Sequence, residues 1–231
     1  PLVQVQTLPL ADGGDGRVAA ALGAGFQALT VPITGPTGQS TTTTVAFDGA
    51  TAVVEVATTA GLQMLPIGQL DPLTSSSIGF GQAIRAVLAL RPARIVLALD
   101  GSATTDGGAG MLAALGAVFT DRRGRPFVPT GGTLEEIADA DLTGLVDLEG
   151  VELIAASDGD NPLLGSNGAA AVYGPQQGAT PDDVEVLEAG LGALIRRLWE
   201  AGRPAAEAAG IPGAGAAGGL GGFFPPLVMA S

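Results

Sequence analysis

The sequence predicts an α/β fold built on a parallel sheet, and three observations carry that expectation. Ile95-Val96-Leu97-Ala98-Leu99 is a short apolar run, β-branched at its start, of the kind that forms a strand covered on both faces. A helical stretch, Ile78 to Leu90, precedes it, and a loop of Gly, Ser, Thr and Asp follows before a second helical pattern, so strands and helices alternate. Asp- and Gly-rich loops recur where strands should end: Asp12 with Asp15, Asp106, and Asp158 with Asp160. In an open α/β sheet, ligands bind at that edge.

In chain order, Val3 to Val5 reads as a short strand and Val18 to Leu22 as a short helix. Ala28 to Thr34 and Thr41 to Phe47 read as strands joined by the turn Gly35-Pro36-Thr37-Gly38. Asp48-Gly49 signals a hairpin into a third strand, Ala52 to Ala57, which makes the front section a meander. Gly61 to Leu65 reads as a turn of helix, and Ser75-Ser76-Ser77 opens the helix that stops before Arg91-Pro92. Met111, Leu112, Leu115 and Val118 fall on one helical face after the Gly-rich loop. Arg122, Arg123 and Arg125 read as a solvated polar loop, Leu134 to Ile137 as a helical turn, and Val151 to Ala155 as a strand. Pro181 suits the first position of a helix, with Asp182, Asp183 and Glu185 in its first turn and Arg196-Arg197 near its end, as the helix dipole favours.

With 231 residues, 46% of them hydrophobic, the chain is long enough for a sizeable core and is not disordered. No run approaches a membrane span, and no cysteine or signal-like N-terminus occurs, which suits a cytoplasmic protein. A net charge of −13 argues against nucleic acid or an anionic membrane as partner. All ten basic residues are Arg, so imidazole bases, imidazole metal ligands and a phosphate-binding lysine are excluded together. The chain begins at Pro1 and ends in the apolar stretch Phe223 to Met229, so both ends are expected to be cut and the tail to favour association with another copy.

The loop after Leu99 is the first candidate site. Ser102, Thr104 and Thr105 offer hydroxyls, and the Gly107 and Gly108 amides ahead of a helix suit an anion such as phosphate. Asp100 and Asp106 lie beside it, and two carboxylates near an anion call for a cation or a proton. Against this stands the plain reading of Asp106 as an N-cap and of the glycines as a tight turn. Gly213-Ala-Gly215-Ala-Ala-Gly218 satisfies the dinucleotide-binding pattern but lacks a preceding strand. Asp158-Gly159-Asp160 begins like a calcium loop and fails at Pro162.

As a set, the segments resemble the class I glycerate kinase family. Leu8–Gly16 is similar to that family's PMADGGEG segment, and Gly35–Gly38, Val54–Ala57 with Gly61-Leu62, and Gly79–Gln82 follow in the family's order. Gly101–Met111, Asp158 with Asn161-Pro162-Leu163, Tyr173–Ala179 and Gly213–Gly219 complete the match. Departures include Asp15 for Glu, Arg17 for Thr, Gln82 for Glu, Asp100 for Gly, Thr105 for Asn and Gln177 for Lys.

The resemblance implies a two-domain α/β fold, one domain flavodoxin-like, here incomplete at both ends. Residues 1–47 would be a partial first segment of meander strands, part of the flavodoxin-like domain, and residues 48–231 the second α/β domain with the Asp/Gly loops. It also implies an ATP- and Mg²⁺-dependent kinase that phosphorylates a hydroxyl of glycerate. Asp158, Asp106 and Asp12 are then the catalytic candidates, with Asp158 and Asp106 as metal ligands. Ser102, Thr104, Gly107, Gly108 and Asn161 would bind substrate or phosphate. Two other readings stay open: a non-catalytic remnant of the family acting as a binding domain, and another Mg²⁺-dependent enzyme on sugar acids, such as a phosphatase.

Overall fold

A computed structural model describes residues 16–202 and 210–223. The first strands, β1 (Gln27–Thr34), β2 (Ser40–Phe47) and β3 (Thr51–Glu55), are antiparallel neighbours because their connections are tight. At the second turn the Asp48 carboxylate accepts the Ala50 and Thr51 amides at 2.9 and 2.7 Å, which reverses the chain directly into β3. From there the connections lengthen and the pairing becomes parallel. Helix α2 (Ile78–Leu88) lies between β3 and β4 (Arg94–Ala98), and a longer crossover leads from β4 to β8 (Glu152–Ala156). The sheet order is β1-β2-β3-β4-β8. The expected division at residues 47/48 falls between β2 and β3, which are hydrogen-bonded partners, so the described strands on both sides of it share one sheet.

Strand β4 is parallel to both neighbours, as its composition predicts, but its two faces are covered unequally. Ile95 and Leu97 point into the main core with Val45, Val54, Phe80, Ile84 and Val87. Val96 turns the other way, where α1 (Arg17–Gly23) lays Val18 and Ala21 over Ala46 and Val53, and it stays only half-buried.

The long crossover holds what the sequence pattern did not reveal. Helix α3 covers only Ala109–Ala114, because Gly116 takes φ 115° and turns the chain out of the helix. Val118, expected on the buried helical face, instead opens β5 (Val118–Thr120) and is 44% exposed. Arg122, Arg123 and Arg125 do lie in an exposed loop, and that loop is the hairpin turn of a small antiparallel sheet of β5, β6 (Pro126–Phe127) and β7 (Asp139–Asp141), with Arg125 paired to Asp121 at 2.6 Å across it. After β8 comes α4 (Ala169–Tyr173), which the sequence reading omitted, and then the expected α5 (Pro181–Glu200). A capping box closes its start: Asp183 N donates to Thr180 Oγ1 at 3.2 Å, and Thr180 N donates to the Asp183 carboxylate at 2.8 Å. Leu187, Leu191, Leu194 and Leu198 form the buried stripe that seats α5 on the core. Among the described residues no helix is long and apolar enough to cross a membrane.

Candidate functional site

The register of the parallel strands builds the site. Ala98 on β4 is aligned with Ala156 on β8, and Leu99 N donates to Ala156 O at 2.9 Å, which carries the ladder one residue further. Two residues beyond that aligned pair stand Asp100 and Asp158. Because side-chain direction repeats every second residue, the two carboxyl groups meet side by side at the carboxyl edge of the sheet. Asp100 Oδ2 is buried without a hydrogen-bond partner among the described residues, whereas Asp158 is exposed. Burial first, and then the adjoining Asp158 carboxylate, push the Asp100 pKa up to about 7, with the Arg17 guanidinium opposing the rise.

A pocket of about 50 Å³ opens on this pair, lined also by Gly101, Ser102, Tyr173 and Gln176. That is room for a hydrated ion or a phosphoryl group and not for a nucleotide. No group of three or more His, Cys, Asp or Glu residues is placed to hold a metal ion among the described residues.

Asp106 is elsewhere. It is fully buried, and its carboxylate is surrounded by donors: Ser77 N at 2.7 Å, Ser77 Oγ at 2.8 Å, Gly108 N at 3.0 Å, Gly110 N at 3.2 Å and Ser76 Oγ at 3.4 Å. It ties the start of α2 to the start of α3, and its desolvation raises its pKa despite those donors. The Gly107 and Gly108 amides expected to face phosphate are used within the protein, donating to Gly218 O at 3.0 Å and to Asp106 Oδ1. The structure therefore brings Asp158 together with Asp100 and leaves Asp106, Gly107 and Gly108 in the support beneath. Asp12 lies outside the described residues.

Ser102 reaches the pocket wall, and its Oγ accepts the Thr104 amide at 3.1 Å, while Thr104 is fully buried. Gln177, also buried, donates to the carbonyls of Ser102 and Thr104 at 3.0 and 3.1 Å and accepts the Thr105 hydroxyl at 2.6 Å. Asn161 accepts the Tyr173 hydroxyl at 2.9 Å. The site thus includes Asp100, which the sequence pairs with Asp106 and the structure pairs with Asp158, together with Arg17 and Tyr173, which the sequence did not mark as site residues. The signal for Asp100 is the shared Ala-x-Asp spacing of Ala98–Asp100 and Ala156–Asp158, which becomes legible only once the strands are known to be adjacent.

A profile of the glycerate kinase family matches residues 1–230. The chain is 39% identical over 225 residues to the glycerate kinase of Bacillus subtilis (strain 168), covering 96% of this chain and 58% of that protein. It is 38% identical over 228 residues to the glycerate 2-kinase of Escherichia coli (strain K12), with 96% and 58% covered. In structure it is similar to a Salmonella typhimurium LT2 protein assigned as glycerate kinase 2, with a TM-score of 0.84 and 40% identity over 93% of this chain and 59% of that one. The chain therefore spans a little under three fifths of the length of these relatives.

Proposed function

Because the chain belongs to the glycerate kinase family, we propose that it carries the acidic catalytic edge of an enzyme that transfers the γ-phosphoryl group of ATP to a hydroxyl of glycerate. The observation that supports this reading most is the Asp100–Asp158 pair, an orphaned buried carboxylate oxygen beside an exposed carboxylate, at the sheet edge where α/β proteins bind ligands.

The donor set fits Mg²⁺. All its ligands are oxygens, and two carboxylates leave the remaining positions to phosphate oxygens and water, as that ion prefers. Asp100 and Asp158 would hold it, and when bound it would offset charge on the phosphates. Phosphoryl transfer asks otherwise for alignment and charge neutralisation. Asp158, on the exposed side of the pair, accepts the proton of the attacking glycerate hydroxyl. Arg17, whose Nε is buried without a partner among the described residues and whose charge is felt by Asp100, faces the anionic groups. Ser102 and Asn161 offer hydrogen bonds to the substrate. Gln177 holds the Ser102–Thr105 loop rigid, and Asp106 fixes that loop to α2. Glycerate, ATP and Mg²⁺ are thus the proposed small-molecule partners.

The test is formation of ADP from ATP with D-glycerate, run on this chain and on a version lengthened to the extent of its relatives. Glycerate-dependent ADP formation supports the proposal. Release of phosphate from phosphoglycerate without ADP would instead make the protein a phosphatase, and failure of both in the lengthened chain would make it a binding domain.

A further inference from the structure

Tyr173 stands in the pocket wall and has no task in the reading above. It is the single tyrosine of the chain, the last residue of α4, and it is half-buried beside the carboxyl pair. Its hydroxyl donates to Asn161 Oδ1 at 2.9 Å, and Asn161 is held in turn by donating to Asn167 O at 3.1 Å and accepting Gly215 N at 2.9 Å on its carbonyl. The same phenol oxygen fills the space where a side chain on Gly159 would begin. A Cβ there would stand 2.5 Å from Tyr173 Oη, and the next atom, Ser157 Oγ, is 3.6 Å away. The absent side chain at 159 thus answers to one oxygen atom. At its other end, just past β8, Gly159 N donates to Ser157 Oγ at 3.1 Å and closes a turn over Asp158. Asp158 is the residue between these two anchors.

We infer that Tyr173 is a positioning residue: its hydroxyl, wedged between Gly159 and Asn161, sets the path of residues 157–161 and so holds Asp158 against Asp100. The inference rests on reading that pair as the cation site. A residue that positions a ligating carboxylate acts on cation affinity from outside the ligand set, where substitutions typically cost roughly 10–100-fold.

The experiment is a Mn²⁺ titration of this chain followed by water-proton relaxation, with thermal unfolding recorded on each sample. The proteins are wild type, Tyr173→Phe, Gly159→Ala and the double variant. Tyr173→Phe keeps the ring and removes only the wedge, so Mn²⁺ affinity should fall roughly 10–100-fold with an unfolding midpoint near that of wild type. Gly159→Ala should weaken binding at least as much, because its new Cβ pushes the phenol oxygen and the loop apart. In the Tyr173→Phe background that second substitution should add nothing, since the Cβ no longer meets an oxygen. Equal affinity in wild type and Tyr173→Phe overturns the inference and leaves the cation site standing. An undiminished Gly159→Ala penalty in the double variant overturns it as well. A wild-type chain that binds no Mn²⁺ removes the cation site itself, and the inference with it. Where Gly159→Ala does not fold, Tyr173→Phe alone decides.

Discussion

Asp100 and Asp158 hold the same position just past the ends of adjacent parallel strands, each two residues beyond an aligned alanine, and this equivalence brings two carboxyl groups together at one edge of the sheet. Like charges so placed resist joint ionisation, and burial of Asp100 adds to the resistance.

The first consequence is a pH dependence. The Asp100 pKa lies at about 7 in the folded chain, above its ordinary value of 3.8. Between these values the folded state holds a proton that the unfolded state has released, so the stabilisation is complete at low pH and is lost as pH rises through about 7. Without divalent cation, the thermal midpoint should therefore decline from pH 5 to pH 8, and Asp100→Asn should flatten the decline. Mg²⁺ should raise the midpoint more at pH 8 than at pH 5, because protons compete for the same oxygens. An unchanged slope in Asp100→Asn would show that this group is not its source.

Asp106→Asn should reduce stability. Four of the five donors around Asp106 converge on Oδ2, so the asparagine oxygen must sit there, and its amide then faces Gly108 N in place of Oδ1. Two buried donors are left facing each other, a cost of about 1–3 kcal/mol in urea unfolding. A plain N-cap would accept asparagine at almost no cost. Wild-type stability combined with lost turnover would instead make Asp106 a direct participant in the reaction.

Gln177→Glu probes the support of the Ser102–Thr105 loop with a near-isosteric change. The buried amide nitrogen that serves two carbonyls becomes an oxygen that repels both. The expected loss is at least ~2 kcal/mol in the same measurement, with Gln177→Met falling between Glu and wild type. A neutral result would mean that the loop is held by other contacts.

Nucleic acid should not bind. Its ten arginines are outnumbered by 23 acidic residues, and the net charge of −13 repels phosphates. Retention on duplex DNA at low salt with a steep salt slope would refute this.

Much of this architecture is legible in the residues. The Ile95–Leu99 run, the Asp48 turn and the Pro181 helix start are local signals, and the structure uses them as their chemistry suggests. What escapes reading is non-local. Val118 continues a helical period, yet Gly116 breaks the helix before it, and the small sheet it joins depends on Asp139–Asp141, some twenty residues on. The site follows the same rule. Asp106 sits in the most conspicuous Gly-rich loop, where sequence cannot tell a carboxylate facing solvent from one enclosed by Ser76, Ser77 and two glycine-loop amides. Asp100 and Asp158 are 58 positions apart in the chain, and only the β4–β8 register makes them neighbours.

The most direct measurement is glycerate-dependent ADP formation in a chain lengthened to the extent of its relatives, comparing wild type with Asp158→Asn, and with Asp182→Asn on the surface of α5 as control. Removal of a carboxylate that takes part in proton transfer typically costs ~10²–10⁴-fold. A loss of that order is expected in Asp158→Asn with its fold intact, and wild-type turnover in Asp182→Asn. Near-normal turnover in Asp158→Asn would contradict the assignment of the reaction to the Asp100–Asp158 pair.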